Sequence, residues 1–590
     1  MSILIDTVRI LGFRGIQNLE ITLPKTTVLI GTNNSGKTSV IKALQLALGD
    51  YSRYVSEEDF HIDKSDNVAE QILVDVRVLP VDTKGKRSDK FTDEWVNEYA
   101  DNIQAEPDGR QFLAIRTRCI RDEIKGGFDV SRFILNRWPD ISNWETKKTS
   151  AKNQLRRRFD AMPFIAIDAQ RDIHQELRDR SSFVGKILSS VKYNDSDIEL
   201  LEEMIGHVNN EAVEKSEPLK GLKTHLEQLN RSFHGSGKAE ITPFPKKIRD
   251  LSKQFTVHFG ETENDSFSME YHGMGTRSWA SMLTVKAFVE LLASKHEEEV
   301  KPFFPVIAAE EPEAHLHPNA QRTLYQQLTQ SLGQVILSSH SPYLAGMANL
   351  PDIRALSQSD EGIKVNALTV NLDAEDLNVL HREVMRFRGE LLFSKAIILF
   401  EGVTEEQIVP AMFEHYYGSS TFAMGINCIS VAGKNYAPYI KLGCSFGIPV
   451  YVVSDNDGNT KTSVEAQIQN IKNDTGLRLE EEIFSIHFLN DSNDIESELI
   501  NTLNLREEVC EALVLSKTRG SSNENLKAAK QREVTALSNE ELVEKMRKSK
   551  ASYAGFLADV ISRNPQNRNQ GEMVPEAFKQ AFNKIKEQLS

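Results

Sequence analysis

The stretch Ala396-Ile397-Ile398-Leu399-Phe400-Glu401-Gly402-Val403-Thr404-Glu405 decides how this chain is read. An apolar run of strand length ends in a carboxylate and a glycine, and a second carboxylate follows four residues on, where a helix should begin. Further along, Val450-Tyr451-Val452-Val453-Ser454-Asp455-Asn456-Asp457 repeats the pattern, delivering two acids at the end of a second apolar strand. Parallel α/β sheets gather their strand ends along one edge, so Glu401, Glu405, Asp455 and Asp457 are expected to converge. Converged acids repel one another unless a cation sits among them. The expectation is a site for Mg²⁺ or Mn²⁺, hard cations that take oxygen ligands and polarise phosphoryl oxygens, and hence phosphodiester cleavage or transfer. Taken singly, Glu401 and Glu405 would be acids favoured at a helix start, and Asp-Asn-Asp-Gly a polar turn. Their joint occurrence at two strand ends outweighs those plainer readings.

Working outward, 590 residues exceed one ordinary core and predict two large domains, one carrying an insertion. Hydrophobic content of 40% and charged content of 26% are those of a globular protein, and no apolar run reaches the roughly 18 residues needed to span a bilayer. No signal-peptide pattern opens the chain, so a cytoplasmic protein with no membrane contact is expected. Cys119, Cys428, Cys444 and Cys510 lie too far apart for a metal-ligand spacing and read as reduced thiols. A net charge of −15 argues against coating nucleic acid by bulk attraction. DNA contact would then fall to local clusters such as Arg156-Arg157-Arg158 or the Arg171, Arg178, Arg180 group, each of which also reads as a solvated helix face.

The amino-terminal half carries a second motif set. Ile3 to Ile10 and Leu19 to Leu23 predict a hairpin, and Thr27-Val28-Leu29-Ile30 a short buried strand. That strand runs into Gly31-Thr32-Asn33-Asn34-Ser35-Gly36-Lys37-Thr38, a complete P-loop pattern followed by an amphipathic helix. Asn33, Asn34, Ser35 and Gly36 supply the loop that wraps phosphates, Lys37 reaches the β- and γ-phosphates, and the Thr38 hydroxyl can ligate Mg²⁺. Phe303 to Ala309 predicts a strand ending in Glu310-Glu311-Pro312-Glu313, where Glu310 would hold the nucleotide Mg²⁺ and Glu311 would orient the attacking water. Val335 to Ser339 predicts a further strand, with His340 placed to sense a γ-phosphate. His272-Gly273-Met274-Gly275-Thr276-Arg277-Ser278 reads as a glycine-rich turn before a helix from Trp279 to about Ser294. Apolar residues at three- and four-residue spacing between 196 and 234 predict a helical hairpin, read as an insert that packs in its own domain or serves dimerisation.

These residues carry a resemblance. The P-loop, the Gly273-to-Ser278 turn, Glu310-Glu311-Pro312-Glu313-Ala314-His315-Leu316-His317-Pro318 and Ser339-His340-Ser341-Pro342 resemble the ATPase head of the ABC superfamily, in the branch shared by RecF-type and SMC-type proteins. Glu401-Gly402 with Glu405, then Asp455-Asn456-Asp457, resembles the Toprim fold. In that order across nearly the whole chain, the motifs resemble the OLD (overcoming lysogenisation defect) nucleases, including the nuclease subunit of the Gabija phage-defence system.

The resemblance implies an α/β architecture: an ATPase head over 1–378 with a helical insert at about 175–240, a linking helix over 379–394, a Toprim core over 395–510 and a helical carboxyl-terminal part over 511–590. It implies ATP as a ligand and a homodimer or higher homo-oligomer in which each signature turn, here including Gly275, completes the partner's nucleotide site. The turn departs from the usual Leu-Ser-Gly-Gly core, which leaves ATP binding expected and ATP hydrolysis less so. The family's metal-binding acids correspond to Glu401, Glu405, Asp455 and Asp457, with a later acid at Glu496 in preference to Glu498. A charge-stabilising lysine is assigned to Lys550, with Lys548 and Lys545 as rivals. The expected activity is divalent-metal-dependent cutting of DNA by two ions, as a nicking endonuclease or an exonuclease, in anti-phage defence, with a helicase, reverse transcriptase or other encoded partner. The alternative from another class is a nucleotide-gated DNA sensor or scaffold with weak or partner-dependent cleavage.

Overall fold

The computed structural model describes residues 2–122, 124, 126–168, 194–232, 258–259, 267–268, 273–360, 362–368, 372–385, 388–475, 479, 483–518, 523–549, 552–563 and 571–589. Lys550, His272 and the Arg171, Arg178, Arg180 group lie outside them, as do 175–193 and 233–240 of the expected insert.

Three sheets organise the described chain. The first is antiparallel and joins β1 (Ile3–Phe13), β2 (Ile16–Thr22), β4 (Gln71–Pro80), β5 (Gln104–Ala105), β6 (Gln111–Arg121) and β7 (Phe128–Ile134), in the order β2-β1-β4-β6-β5 with β7 beside β6. The hairpin β1–β2 pairs Val8 with Ile21 and Ile10 with Leu19, the register that places their apolar side chains on one face. The second sheet has the order β14-β13-β3-β12-β11-β8, built from β3 (Thr26–Gly31), β8 (Phe164–Ile167), β11 (Val306–Glu310), β12 (Gln334–Ser338), β13 (Ile353–Ser359) and β14 (Gly362–Asn366). It is parallel except for the antiparallel edge strand β14. A two-residue pair, β9 (His258–Phe259) and β10 (Phe267–Ser268), stands apart. The third sheet is parallel, in the order β16-β15-β17-β18, from β15 (Ala396–Phe400), β16 (Ile426–Ser430), β17 (Val450–Ser454) and β18 (Phe484–Phe488).

The period of two along each strand determines which core a side chain joins. Leu29 of β3 packs with Val40, Ile41 and Leu44 of the helix Lys37–Leu48, which fills the space between the first two sheets. Val28 and Ile30 face the other way, among Met282, Val285 and Val289 of the helix Met274–Glu298. The same core continues into the third sheet through Ile397, Leu399, Val450 and Val452 and the helix Ala437–Phe446. Ile398 and Phe400 point to a third core, against the helices Val403–Tyr417, Arg506–Thr518, Ala554–Arg563 and Glu576–Leu589. Strands buried on both faces read as unbroken apolar runs, which is why the runs at 27–30, 396–400 and 450–453 are so plain in the sequence.

Two expectations are corrected. The 273–278 segment is not a turn before a helix: Gly273 is the N-cap, and Met274 to Ser278 already lie in the helix that runs to Glu298. Nor is 379–394 one helix. A helix covers Ala374–Leu380, a wider π turn His381–Met385, and a 3₁₀ segment Gly389–Phe393. Gly389 lies in close approach to the preceding domain, since a Cβ there would stand 2.4 Å from the Pro342 carbonyl oxygen. Within the expected insert, Asp195–Glu214 and Glu217–Ser232 are the two helices predicted from the apolar spacing, and they pack on each other.

Candidate functional site

Because β3, β12 and β11 are parallel neighbours, their carboxyl ends bring three loops to one edge. The loop after β3 exposes Thr32, Asn33 and Asn34, with Asn34 in the left-handed region at φ 63°, and buries Ser35. Lys37 is buried, and its Nζ donates to the carbonyls of Gly31 (3.0 Å) and Thr32 (2.8 Å) and to Ser35 Oγ (3.4 Å). Burial pulls the ammonium down to about 8, against the opposing pull of Glu311 and Glu313. Thr38 follows on the exposed side of the helix start.

Glu311 holds a left-handed backbone (φ 42°), its N–H donating to the Ser338 carbonyl at 3.0 Å. Its Oε1 lies 3.2 Å from His340 Nε2, and burial together with Lys37 keeps that imidazole below its ordinary value. Glu310 turns elsewhere: it lies 3.1 Å from Nζ of Lys42, which also reaches Asp168 at 2.7 Å. The acid assigned to a nucleotide metal is thus already paired with a lysine of the following helix. Glu313, given no role from the sequence, is buried and accepts from Ser339 Oγ (2.6 Å) and the His340 N–H (3.0 Å), fixing the His340 turn. Its position two residues after Glu311 in the same acidic loop was the available signal. Gly275 packs against this chain's own loop, a Cβ there standing 2.4 Å from the His315 carbonyl oxygen.

The acid cluster lies on the third sheet. The chain leaves β15 for β16 on one side and later places β17 on the other, so the β15/β17 gap is the switch point where such sheets bind ligands. Glu401 follows β15, Gly402 caps the next helix, Glu405 sits in its first turn, and Asp455 follows β17. Burial, with Glu405, Glu401, Asp494 and Asp457 around it, pushes Asp455 up to about 9. Glu405 is 4% exposed and rises to about 7, chiefly by burial and then by Glu496 and Glu401, against backbone N–H groups of its own residue and Gly402. Glu401 and Glu496 are raised too, both mainly by burial. Asp457 is half exposed and accepts from the Thr460 hydroxyl at 2.5 Å.

The 493–498 stretch sorts into three roles. Glu496 faces the cluster and accepts from the buried Tyr553 hydroxyl at 3.4 Å. Asp494, which was not singled out, caps the short helix after it and is held below the usual carboxylate range by Arg547, whose Nε lies at 2.7 Å. Glu498 is fully buried and accepts from Asn490 Nδ2 (3.0 Å), Asn493 Nδ2 (2.6 Å) and Thr502 Oγ1 (3.0 Å), so its oxygens are taken up inside the fold. Of the lysines near Lys550, Lys548 pairs with Glu544 at 3.9 Å and Lys545 with Glu533 at 3.0 Å. The described cation that this helix sends to the acids is Arg547.

Among the described residues, no three His, Cys, Asp or Glu side chains stand close enough together to hold an ion as they are. The acids form an electrostatic cluster rather than a closed shell. They nevertheless suit a hard divalent cation: the donors are all carboxylate oxygens, two are driven far above their ordinary values, and Glu401 Oε2 is buried without a hydrogen-bond partner.

Comparison with known proteins agrees with this division. Residues 392–457 match a family model described as Overcoming lysogenization defect protein-like, TOPRIM domain. The chain is 24% identical over 493 residues to the OLD nuclease of Thermus scotoductus (strain ATCC 700910 / SA-01), covering 77% of this chain and 82% of that protein. It is 24% identical over 468 residues to the uncharacterized protein YbjD of Escherichia coli (strain K12), covering 77% and 80%. It is 20% identical over 464 residues to Endonuclease GajA of Bacillus cereus (strain VD045), covering 77% and 75%. Residues 3–384 match a model described as Protein of unknown function (DUF2813), so the chain belongs to that family and joins to it an OLD-like TOPRIM domain.

Proposed function

We propose that the chain is an ATP-binding, divalent-metal-dependent DNA nuclease, with an ATPase head over 1–378 controlling a cutting site in 395–510. The observation that carries this is the gathering of Glu401, Glu405, Asp455 and Glu496 at the β15/β17 switch point, where burial first and the neighbouring acids second push Glu405 to about 7 and Asp455 to about 9. Carboxylates held in that state are poised to exchange protons for cations. Kinship with proteins named OLD nuclease and Endonuclease GajA supports DNA as the substrate.

In this reading Glu401, Glu405, Asp455, Asp457 and Glu496 hold two Mg²⁺ or Mn²⁺ ions. Such ions, when bound, supply a nucleophile at neutral pH and neutralise charge on the leaving oxygen. The chain's own residues set the stage: Thr460 orients Asp457, Tyr553 orients Glu496, and Arg547 keeps Asp494 ionised at the rim. Lys550 remains the assigned charge-stabilising lysine. At the other edge, Lys37 and the 33–38 loop take the phosphates of ATP, Thr38 and Glu310 its Mg²⁺, while Glu311 and His340 face the γ-phosphate. Glu310 must leave Lys42 to do so. The protein acts as a homodimer or higher homo-oligomer in anti-phage defence, in the cytoplasm, with a helicase, reverse transcriptase or similar partner. The open spacing of the acids favours one second reading, a nucleotide-gated DNA sensor whose cleavage waits on a partner.

The test is incubation of purified protein with supercoiled and linear DNA in Mg²⁺, Mn²⁺ or EDTA, each with and without ATP. Metal-dependent nicking or shortening is expected. Intact DNA in every lane, with DNA still bound, would favour the sensor.

A further inference from the structure

Strand β16 ends at Ser430, and the loop after it is held in an unfavourable backbone. Ala432 lies in the left-handed region at φ 52°, a conformation that a non-glycine residue keeps only where the surroundings impose it, and Gly433 follows at φ 141°, which glycine adopts without strain. Here the imposing group is the backbone of Glu401 itself. The Gly433 N–H donates to the Glu401 carbonyl at 3.0 Å, the Ser430 hydroxyl donates to the same carbonyl at 3.3 Å, and the Ala432 N–H donates to Ser430 Oγ at 3.1 Å. Gln467 Nε2 then donates to the Lys434 carbonyl at 2.7 Å. The loop that presents Lys434 is therefore built onto the residue that opens the acid cluster.

Its ammonium lies 3.8 Å from Glu401 Oε1 and 3.7 Å from Asp457 Oδ1, and donates to the Thr460 hydroxyl, which in turn donates to Asp457. Lys434 stands off both carboxylates, its side chain 39% exposed, and Thr460 is its one hydrogen-bond partner among the described residues. Of its three N–H donors, two remain unspent, at the open side of a site otherwise lined by acids.

We propose that Lys434 is a phosphate-binding residue of the acid site, donating to a non-bridging oxygen of the DNA backbone beside Glu401 and Asp457. The inference rests on the nuclease reading and names a residue that it leaves unassigned. A polyanion approaching four acids is repelled, and a compact, unsaturated ammonium fixed between two of them gives it a point of attachment. The role is separate from that of Lys550, which lies in another part of the chain.

The test uses the full chain, a labelled DNA duplex and the variants Lys434→Met and Lys434→Arg. Duplex affinity is measured in EDTA over a salt series, and Mn²⁺ affinity is measured without DNA. Loss of one phosphate contact should flatten the slope of log affinity against log salt by about 1 in Lys434→Met, with affinity down roughly tenfold at low salt. Lys434→Arg should restore the slope, and Mn²⁺ affinity in Lys434→Met should be unchanged or tighter because a competing charge is gone. A purely structural role predicts weaker Mn²⁺ binding and an unchanged salt slope, and that result would overturn the inference. Should wild-type protein cut DNA while Lys434→Met keeps its slope and rate, the inference fails and the nuclease reading stands. Wild-type protein that neither binds nor cuts DNA sinks both.

Discussion

Replacing Glu405 with Gln should make the metal-free protein more stable, although it removes a side chain at the heart of the site. Glu405 is 4% exposed, and its carboxyl is moved from 4.5 to about 7. A shift of that size, at about 1.4 kcal/mol per unit, corresponds to a native-state penalty of about 3 kcal/mol once the group is ionised. The sign follows from linkage. A carboxyl whose folded value is raised binds more protons in the native state than in the unfolded chain. Stability is therefore fullest below 4.5, falls as pH rises from 4.5 to 7, and stays low above that. Glu405→Gln keeps an acceptor for the Gly402 N–H and turns its amide toward the carboxylates of Glu496 and Glu401, which can accept. In EDTA at pH 8 the variant should gain up to about 3 kcal/mol, several degrees in Tm, and at pH 5 little. Adding Mn²⁺ should reverse the order, because only the wild type keeps its full set of ligands and is stabilised by mass action. Thermal or urea unfolding at the two pH values, with and without Mn²⁺, reads all four quantities. A variant no more stable than wild type at pH 8 in EDTA, or equally favoured at pH 5, would refute the claim that burial, reinforced by the neighbouring acids, makes the ionised Glu405 costly in the native state.

Other expectations are more local. Lys37→Met removes an ammonium held by three loop oxygens and should weaken ATP binding by about a hundredfold in equilibrium dialysis while leaving the unfolding midpoint close to wild type. Glu498→Ala should cost about 2 kcal/mol in urea unfolding, since the half-buried amides of Asn490 and Asn493 and the Thr502 hydroxyl lose a fully buried acceptor, with no loss of Mn²⁺ affinity in the protein that remains folded. A drop in Mn²⁺ affinity without destabilisation would return Glu498 to the ligand set. Gly275→Ala forces a methyl against the His315 carbonyl at 2.4 Å and should destabilise by about 1–3 kcal/mol; an unchanged midpoint would show that the helix and the His315 loop separate freely.

What the sequence made legible was whatever lies along the chain. The apolar runs at 396–400 and 450–453, each ended by acids, predicted two parallel strands and their shared edge, and the 31–38 pattern predicted strand, loop and helix in order. Spacing could not reveal partners that meet only in space. Lys42 reaches Glu310 from the helix after the P-loop, Arg547 reaches Asp494 across 53 residues, and Lys434 stands between Glu401 and Asp457 on a strained loop. Glu496 and Glu498 are two residues apart and look alike in the sequence. In the fold one faces the acids and the other faces Asn490, Asn493 and Thr502. At 273–278 and 379–394 glycine misled in two ways: Gly273 serves as a helix N-cap rather than a turn, while Gly275 and Gly389 let backbones approach, a role that spacing along the chain does not reveal.

The central claim is that phosphodiester cleavage takes place at the acids of the third sheet under the control of the nucleotide edge. The most direct measurement is cleavage of supercoiled plasmid with Mg²⁺ or Mn²⁺ by wild type, Glu401→Ala and Lys37→Ala side by side, with nucleotide binding followed in each. The account predicts that Glu401→Ala binds ATP as wild type does and leaves the plasmid intact, while Lys37→Ala still cuts but no longer responds to ATP. Wild-type cutting retained in Glu401→Ala would contradict it and move the chemistry elsewhere in the chain.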